Sequence, residues 1–421
     1  MRRNQTSANP ETVLLTAVAA LEVLRRNQCT LDEYLDREIH DSVLRKRLSN
    51  LLFTLYRRKR FIDEALQKIC SKAPAFDVYA LLAGAAAMAR YQTSLPAESV
   101  VNIAVTAAKK QHNKAIANFV NAVLRKLLPG LPEETDSPAL PQELYRRWQK
   151  EFGRTETEKL NQLFQEQSVS TIRLRSGAAI AQASANLQEL DLALPWKFFA
   201  AEKLSELLTS ESFQQGAFYI QDPAPAKVCM LLQKYIGKLP ITVDFIDLCA
   251  APGGKLIMNM ELLQSAQRQV NAVAVDRSTK RLELVRKNLE RCKLSANLIA
   301  ADAAAVPQLP RGRFDLVTCD VPCSNSGVFR RRPDALWRWK AADLPSVCAL
   351  QANILDNAGT LTAPGGLLLY STCSLEKEEN ALQIEKFLAN NSDFTLLDMQ
   401  LFMPDGYCDG TFAALLQKSE V

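Results

Sequence analysis

The sequence predicts a multidomain protein: an all-α N-terminal domain, a small α+β module, and a C-terminal α/β domain built on a doubly wound parallel sheet. Three observations predict it. Residues 1–128 carry apolar side chains at helical spacing without strand-like alternation. A proline-rich stretch, "PGLPEETDSPALP" (129–141), separates this third from the rest. From Gly216 onward, short apolar runs alternate with amphipathic helical segments, the rhythm of βα units around a parallel sheet. The domains read as 1–130, 142–215 and 216–421.

In the first domain Leu44, Leu48, Leu51 and Leu55 recur at helical spacing, with Arg45, Lys46 and Arg47 on other faces. "LPAESVVNIAVTAAKKQ" (95–111) places Val100, Val101, Ala104 and Ala107 on one stripe, and "AIANFVNAVLRKLL" (115–128) repeats the pattern. In the middle module "QELYRRWQKEFG" and "EKLNQLFQEQ" read as helices and "VSTIRLRS" (169–176) as a strand. The third domain offers strands at 243–250, 270–276, 297–302, 314–320 and 365–374, with helices after the first two.

Composition narrows the function. At 48% hydrophobic and 23% charged the chain is an ordinary globular protein without an apolar run long enough to span a membrane. The N-terminal stretch to Arg26 reads as a helix rather than a signal peptide, since Glu22 interrupts it. Residues 1–130 hold 20 Lys/Arg against 11 Asp/Glu, whereas the remainder holds 31 against 35. A basic third beside a mildly acidic body fits contact with a polyanion such as RNA, and fits a solvated helix surface equally well. The ten cysteines form no CxxC pair, so no metal site is expected. A reducing cytoplasm is their natural setting. Both histidines, His40 and His112, lie in the first third, which removes Ser-His-Asp and Cys-His catalysis from the C-terminal half.

The strands of the third domain end on Asp276, Asp302, Asp320 and Cys373, and strand ends converge on one crevice in such sheets. "DLCAAPGGKL" (247–256) is a glycine turn from strand to helix. It is neither a Walker A loop nor GxGxxG, and its glycines let a ligand approach the backbone. Asp276 is placed to accept ribose hydroxyls of a nucleoside cofactor, and Asp302 to meet an adenine edge. "CDVPCSNSGVFRRRPDALWRW" (319–339) joins Asp320 and Cys323 to Arg330, Arg331, Arg332, Trp337 and Trp339, a set suited to phosphate contact and base stacking. In "LLLYSTCS" (367–374) Cys373 closes the last apolar strand, with Thr372 and Ser374 as expected hydrogen-bond partners for a thiolate or a base.

The motifs "DLCAAPGGK", "DVPCSNSGVFRRRPD" and "YSTCSLEKEEN" together resemble the RNA cytosine-5 methyltransferases of the NOL1/NOP2/Sun family, in its bacterial small-subunit rRNA branch. "ESVVNIAVTAAKK" and "NFVNAVLRKLL" are similar to the NusB-like RNA-binding domain of that branch. The resemblance implies a Rossmann-like class I methyltransferase domain, an RNA-recognition-like middle module, S-adenosylmethionine as cofactor, and 16S rRNA as partner of a cytoplasmic monomer. It implies that Cys249, Ala250, Ala251, Pro252, Gly253, Gly254 and Lys255 hold the cofactor. Asp276 would bind its ribose, Asp302 its adenine, and Asp320 would lie between cofactor and base. Cys373 would be the nucleophile and Cys323 the thiol that helps release product; the residues alone leave open which of the two attacks. Arg330, Arg331 and Arg332 would contact RNA. Val321, Asn325 and Ser326 stand where the family more often has Ala, Gly and Thr. A tRNA cytosine-5 methyltransferase and a non-catalytic rRNA-binding assembly factor are the alternative readings.

Overall fold

The computed structural model describes residues 9–26, 29–92, 95–131, 140–175, 187–306 and 309–420. It divides into two compact units. One comprises Met1–Gln167 with Phe329–Arg338, the other Ser168–Val328 with Trp339–Val421. Most of the expected linker at 129–141 lies outside the described residues.

The first unit is helical: α1 (Pro10–Arg25), α2 (Leu31–Glu38), α3 (Ser42–Ile69), α4 (Phe76–Tyr91), α5 (Ala97–Gln111), α6 (Lys114–Gly130) and α7 (Gln142–Leu163). Side-chain caps begin four of them. Asn9, Thr30, Asp41 and Asn113 each accept a hydrogen bond from a backbone N–H in the first turn, satisfying a donor that the helix itself cannot pair. The alanine-rich α4 is buried nearly all round, as expected of a central helix. Its Ala80–Met88 run shares one core with Leu14 and Ala17 of α1, Leu48, Leu51 and Leu55 of α3, and the Val100–Ala107 stripe of α5. The segment assigned from sequence to the middle module, 142–167, falls in this unit, where Trp148 packs on Phe164 and Phe329.

The second unit carries two sheets. The smaller, in the order β2-β3-β1-β4, consists of β1 (Thr171–Leu174), β2 (Leu187–Leu190), β3 (Phe198–Ala201) and β4 (Phe218–Ile220), all antiparallel, with the short helices α8 (Leu204–Leu207) and α9 (Glu211–Gln214) before β4. After α10 (Ala224–Gln233) comes the larger sheet, made of β5 (Thr242–Asp247), β6 (Gln269–Asp276), β7 (Asn297–Ala300), β8 (Phe314–Asp320), β9 (Thr362–Thr372), β10 (Phe394–Phe402) and β11 (Thr411–Lys418). Its order is β10-β11-β9-β8-β5-β6-β7. The five expected strands are parallel to one another. Two further strands that the βα rhythm does not predict, β10 and β11, extend the β9 edge antiparallel. Helices α11 (Gly254–Ser265), α12 (Thr279–Arg291), α13 (Pro333–Arg338, in the first unit), α14 (Leu344–Leu361) and α15 (Ala381–Asn390) complete the chain. Apolar cores lie on both faces of the sheet. One includes Leu256 and Ile257 of α11 and Val285 of α12; the other includes Ile354 and Leu355 of α14 and Ile384 of α15. Chain order reverses between β5 and β8, so the carboxyl ends of those two strands flank the switch point where such sheets bind ligands.

Candidate active site

The glycine turn follows β5. Gly253 has φ +104°, in the left-handed region, and starts α11. A Cβ on Gly254 would lie 3.1 Å from Gln221 Nε2 and 3.5 Å from Tyr219, so the lack of a side chain lets the turn pack closely on both. Three neighbours hold it in place. Tyr219 OH donates to Pro252 O at 3.2 Å, Asn288 Nδ2 to the same oxygen at 3.0 Å, and Arg281 Nη2 to Ala251 O at 2.7 Å. Asp247, at the end of β5, is buried. That burial, reinforced by the neighbouring Asp320, pushes its carboxyl up to about 7.

The acids expected around this turn have distinct surroundings. Asp276 is buried at the end of β6; it accepts from Ser278 N at 2.9 Å and pairs with Arg281 Nη1 at 3.1 Å. Asp302 does not end a strand. β7 stops at Ala300, and Asp302 follows on an exposed turn, accepting from Ala304 N at 2.9 Å. Asp320 ends β8 and has both oxygens engaged, by Lys255 Nζ at 2.7 Å and Ser371 Oγ at 2.8 Å. Burial works against the charge on Lys255, but the charge and hydrogen bond of Asp320, with smaller help from Cys373 and Cys229, raise the ammonium's pKa on balance. The lysine of the glycine turn is thereby bound to the acid that leads into the first cysteine motif.

Cys323, three residues past β8, and Cys373, the first residue past β9, place their sulfur atoms 3.1 Å apart. Both are partly buried free thiols. Asn325, at φ +61°, bridges them: its Nδ2 donates to Cys323 O at 3.0 Å, and Cys373 Sγ donates to its Oδ1 at 3.3 Å. The carbonyl of Cys323 can only accept, which fixes the orientation of the amide. With the Cys373 S–H donating to Asn325, the contact between sulfurs is a Cys323 S–H donating to Cys373. That bond, then burial, raises the Cys323 pKa well above the usual thiol value. The loop is pinned from behind as well. Gly327 N donates to Cys373 O at 2.9 Å, and a Cβ on Gly327 would come within 2.5 Å of Gly410 O.

The hydroxyls beside Cys373 hold the loop rather than face a substrate. Thr372 Oγ1 donates to Asn380 Oδ1 at 2.6 Å, and Ser374 Oγ donates to Glu379. Glu379 also receives Ser324 N at 2.8 Å, Ser324 Oγ at 2.5 Å and Gln351 Nε2 at 2.9 Å. Sequence reasoning missed this residue. "EKEEN" reads as a solvated acidic run, yet Glu379 is fully buried.

The arginine segment belongs to the helical unit. Arg330 is 1% exposed and sandwiched into the fold, with its backbone oxygen accepting from Arg57 Nη2 at 3.1 Å. Arg331 is partly buried and Arg332 exposed, 3.8 Å from Asp32. The tryptophans are not base-stacking platforms. Trp337 Nε1 donates to Tyr56 O at 2.8 Å against the helical core, and Trp339 is 9% exposed. Apolar packing claims them because their rings have more to gain from burial than from solvent.

Among the described residues no helix is long and apolar enough to cross a membrane, and no group of three His, Cys, Asp or Glu side chains could hold a metal.

Comparison with known proteins bears on both units. Residues 241–415 match the family model described as 16S rRNA methyltransferase RsmB/F, and residues 11–129 match the NusB family model. The ribosomal RNA small subunit methyltransferase B of Shewanella oneidensis is 34% identical over 324 residues, 73% of this chain and 72% of that one. Its namesake from Xanthomonas campestris is 31% identical over 409 residues, 88% of each chain. Among solved structures, PH0851 covers 97% of this chain and 99% of its own at a TM-score of 0.74 and 21% identity. NSun6 from Pyrococcus horikoshii, crystallised with SFG, covers 66% and 98% at a TM-score of 0.54 and 19% identity.

Proposed function

The chain belongs to the 16S rRNA methyltransferase RsmB/F family, and from that premise we propose that it methylates carbon 5 of a cytidine in 16S rRNA through a covalent cysteine adduct. The single observation that carries the chemistry is the pairing of Cys323 and Cys373, sulfurs 3.1 Å apart, at the carboxyl ends of adjacent strands.

The cofactor is S-adenosylmethionine, which supplies an electrophilic methyl group. The residues fit it. The glycine turn leads into the N-terminus of α11, whose free N–H groups would face the cofactor; Asp276 would offer a buried carboxylate for ribose hydroxyls and Asp302 an acceptor for the adenine edge. Cys249, Ala250, Ala251, Pro252, Gly253, Gly254 and Lys255 would form the cradle.

Carbon 5 of cytosine is a weak nucleophile. Addition of the Cys373 thiolate to carbon 6 forms an S–C bond and moves the ring's double-bond electrons toward carbon 5, which can then attack a methyl group. Loss of the carbon 5 proton to water and cleavage of the S–C bond, whose electrons return to the Cys373 sulfur, restore the ring. Cys323 suits the releasing role: held as a thiol by its hydrogen bond to Cys373 and by burial, it keeps a proton beside the departing sulfur. Asp320, fixed by Lys255 and Ser371, orients the base between the thiols and the cofactor cradle. The base must leave its stack to reach this crevice. Arg331 and Arg332 on the helical unit contribute phosphate contacts, whereas buried Arg330 supports them from within the fold.

Incubating the purified protein with labelled S-adenosylmethionine and either 16S rRNA or tRNA, followed by nucleoside analysis, tests this reading. Label in 5-methylcytidine from 16S rRNA is expected. Label in tRNA alone, or in another nucleoside, contradicts it.

A further inference from the structure

We propose that Glu379 is the positioning residue of the thiol pair: one buried carboxylate sets the distance between Cys323 and Cys373 by holding the residue that follows each of them. The proposal rests on the reading of these cysteines as the reacting thiols, and its test needs no turnover. Ser324 and Ser374 both donate their hydroxyls to Glu379 Oε2, while Ser324 N and Gln351 Nε2 donate to Oε1. Four donors meet the four lone-pair sites of an ionised carboxylate.

The anchor reaches further segments around the thiols. Gln351 on α14 also donates to Pro322 O at 2.9 Å, beside Cys323. Tyr370 OH on β9 donates to Glu379 O at 2.7 Å, three residues before Cys373. Ser326 Oγ lies 3.1 Å from Ser374 Oγ and accepts from Leu375 N at 2.8 Å, closing the two loops on each other. Removing the carboxylate strands an amide N–H and a glutamine N–H in the interior, which only a rearrangement of the loops can satisfy. Cys323 and Cys373 are not themselves bonded to Glu379, so it acts through their neighbours.

Glutathione disulfide reports the thiol spacing. It forms a mixed disulfide with one cysteine and releases one glutathione thiol; the second cysteine then displaces the other, closing a Cys323–Cys373 bond. Overall two protein thiols lose two electrons and two protons, and glutathione disulfide gains them. The rate of closure, followed by peptide mapping without reductant, should fall about tenfold in Glu379→Ala, since small misplacements cost reacting groups dearly. Glu379→Gln should stay within about threefold of the wild type, because its oxygen still accepts from Ser324 N and Gln351 and its amide can donate to the hydroxyl oxygens. Affinity for S-adenosylhomocysteine, measured by calorimetry, should be unchanged in both. Wild-type closure in Glu379→Ala overturns the proposal, as does absence of closure in the wild type. Should Glu379→Ala fail to fold, Ser324→Ala and Ser374→Ala decide: each should slow closure about threefold by removing one donor, and wild-type rates in both overturn it. Failure to find 5-methylcytidine would leave these closure rates unaltered, so the two readings fail separately.

Discussion

The sulfur atoms of Cys323 and Cys373 stand 3.1 Å apart across fifty residues of chain, with the side chain of Asn325 spanning both loops. Asn325 occupies a left-handed backbone conformation that asparagine and glycine tolerate and β-branched residues do not. Asn325→Gly should keep the loop and lose about 1 kcal/mol from the missing amide contacts, whereas Asn325→Val should lose about 3 kcal/mol. Urea denaturation measures both.

Asp247 makes stability fall as pH rises from the acidic range to neutrality. Its folded pKa of about 7 lies above its ordinary value of 3.8, so the folded state holds the proton more tightly than the unfolded chain. The resulting stabilisation is complete below the unfolded value and is lost as pH rises toward and through 7. Asp247→Asn, which keeps an acceptor for Cys249 N, should remove that loss. Without cofactor, it should exceed the wild type in stability by on the order of 3 kcal/mol at mildly alkaline pH and gain little at acidic pH. Thermal unfolding across that range provides the comparison.

The small sheet is locked to α11 by a buried ion network. Arg173 Nη1 meets Glu261 Oε2 at 2.7 Å, Arg175 binds the other oxygen, and Arg173 Nε donates to Gln221 Oε1 at 2.9 Å. Glu261→Gln leaves two guanidinium groups without their counter-charge and should cost about 3 kcal/mol in chemical denaturation. Because α11 starts in the glycine turn, S-adenosylhomocysteine affinity should fall with it.

Exposed and buried arginines of one run should behave differently. Arg332→Ala should weaken 16S rRNA binding and reduce the dependence of log affinity on log salt by about one, with the fold unchanged. Arg330→Ala should instead lower the melting temperature, since its side chain is part of the interior. Filter binding at several salt concentrations, alongside thermal melts, separates them.

The sequence reading recovered what depends on local pattern. Alternating strands and helices identified the parallel sheet, and Asp276 and Asp320 end its strands as that rhythm implies. It failed where meaning depends on what packs against what. Glu379 sits in a charged run that looks solvated, and only the meeting of β9, α14 and the loop after β8 buries it. Arg330, Trp337 and Trp339 look like a nucleic-acid surface by composition, yet tertiary contacts turn Arg330 and Trp339 inward and pack Trp337 on the helical core. β10 and β11 pair antiparallel, outside the βα rhythm that reveals the other five, so the same pattern does not show them.

The most direct test of the account is the fate of the covalent adduct. Cys323→Ala, incubated with 16S rRNA and S-adenosylmethionine, should accumulate a protein–RNA complex that survives a denaturing gel. Adding Cys373→Ala should abolish it, and Cys373→Ala alone should transfer no methyl group. Methyl transfer at the wild-type rate by Cys373→Ala would contradict the account.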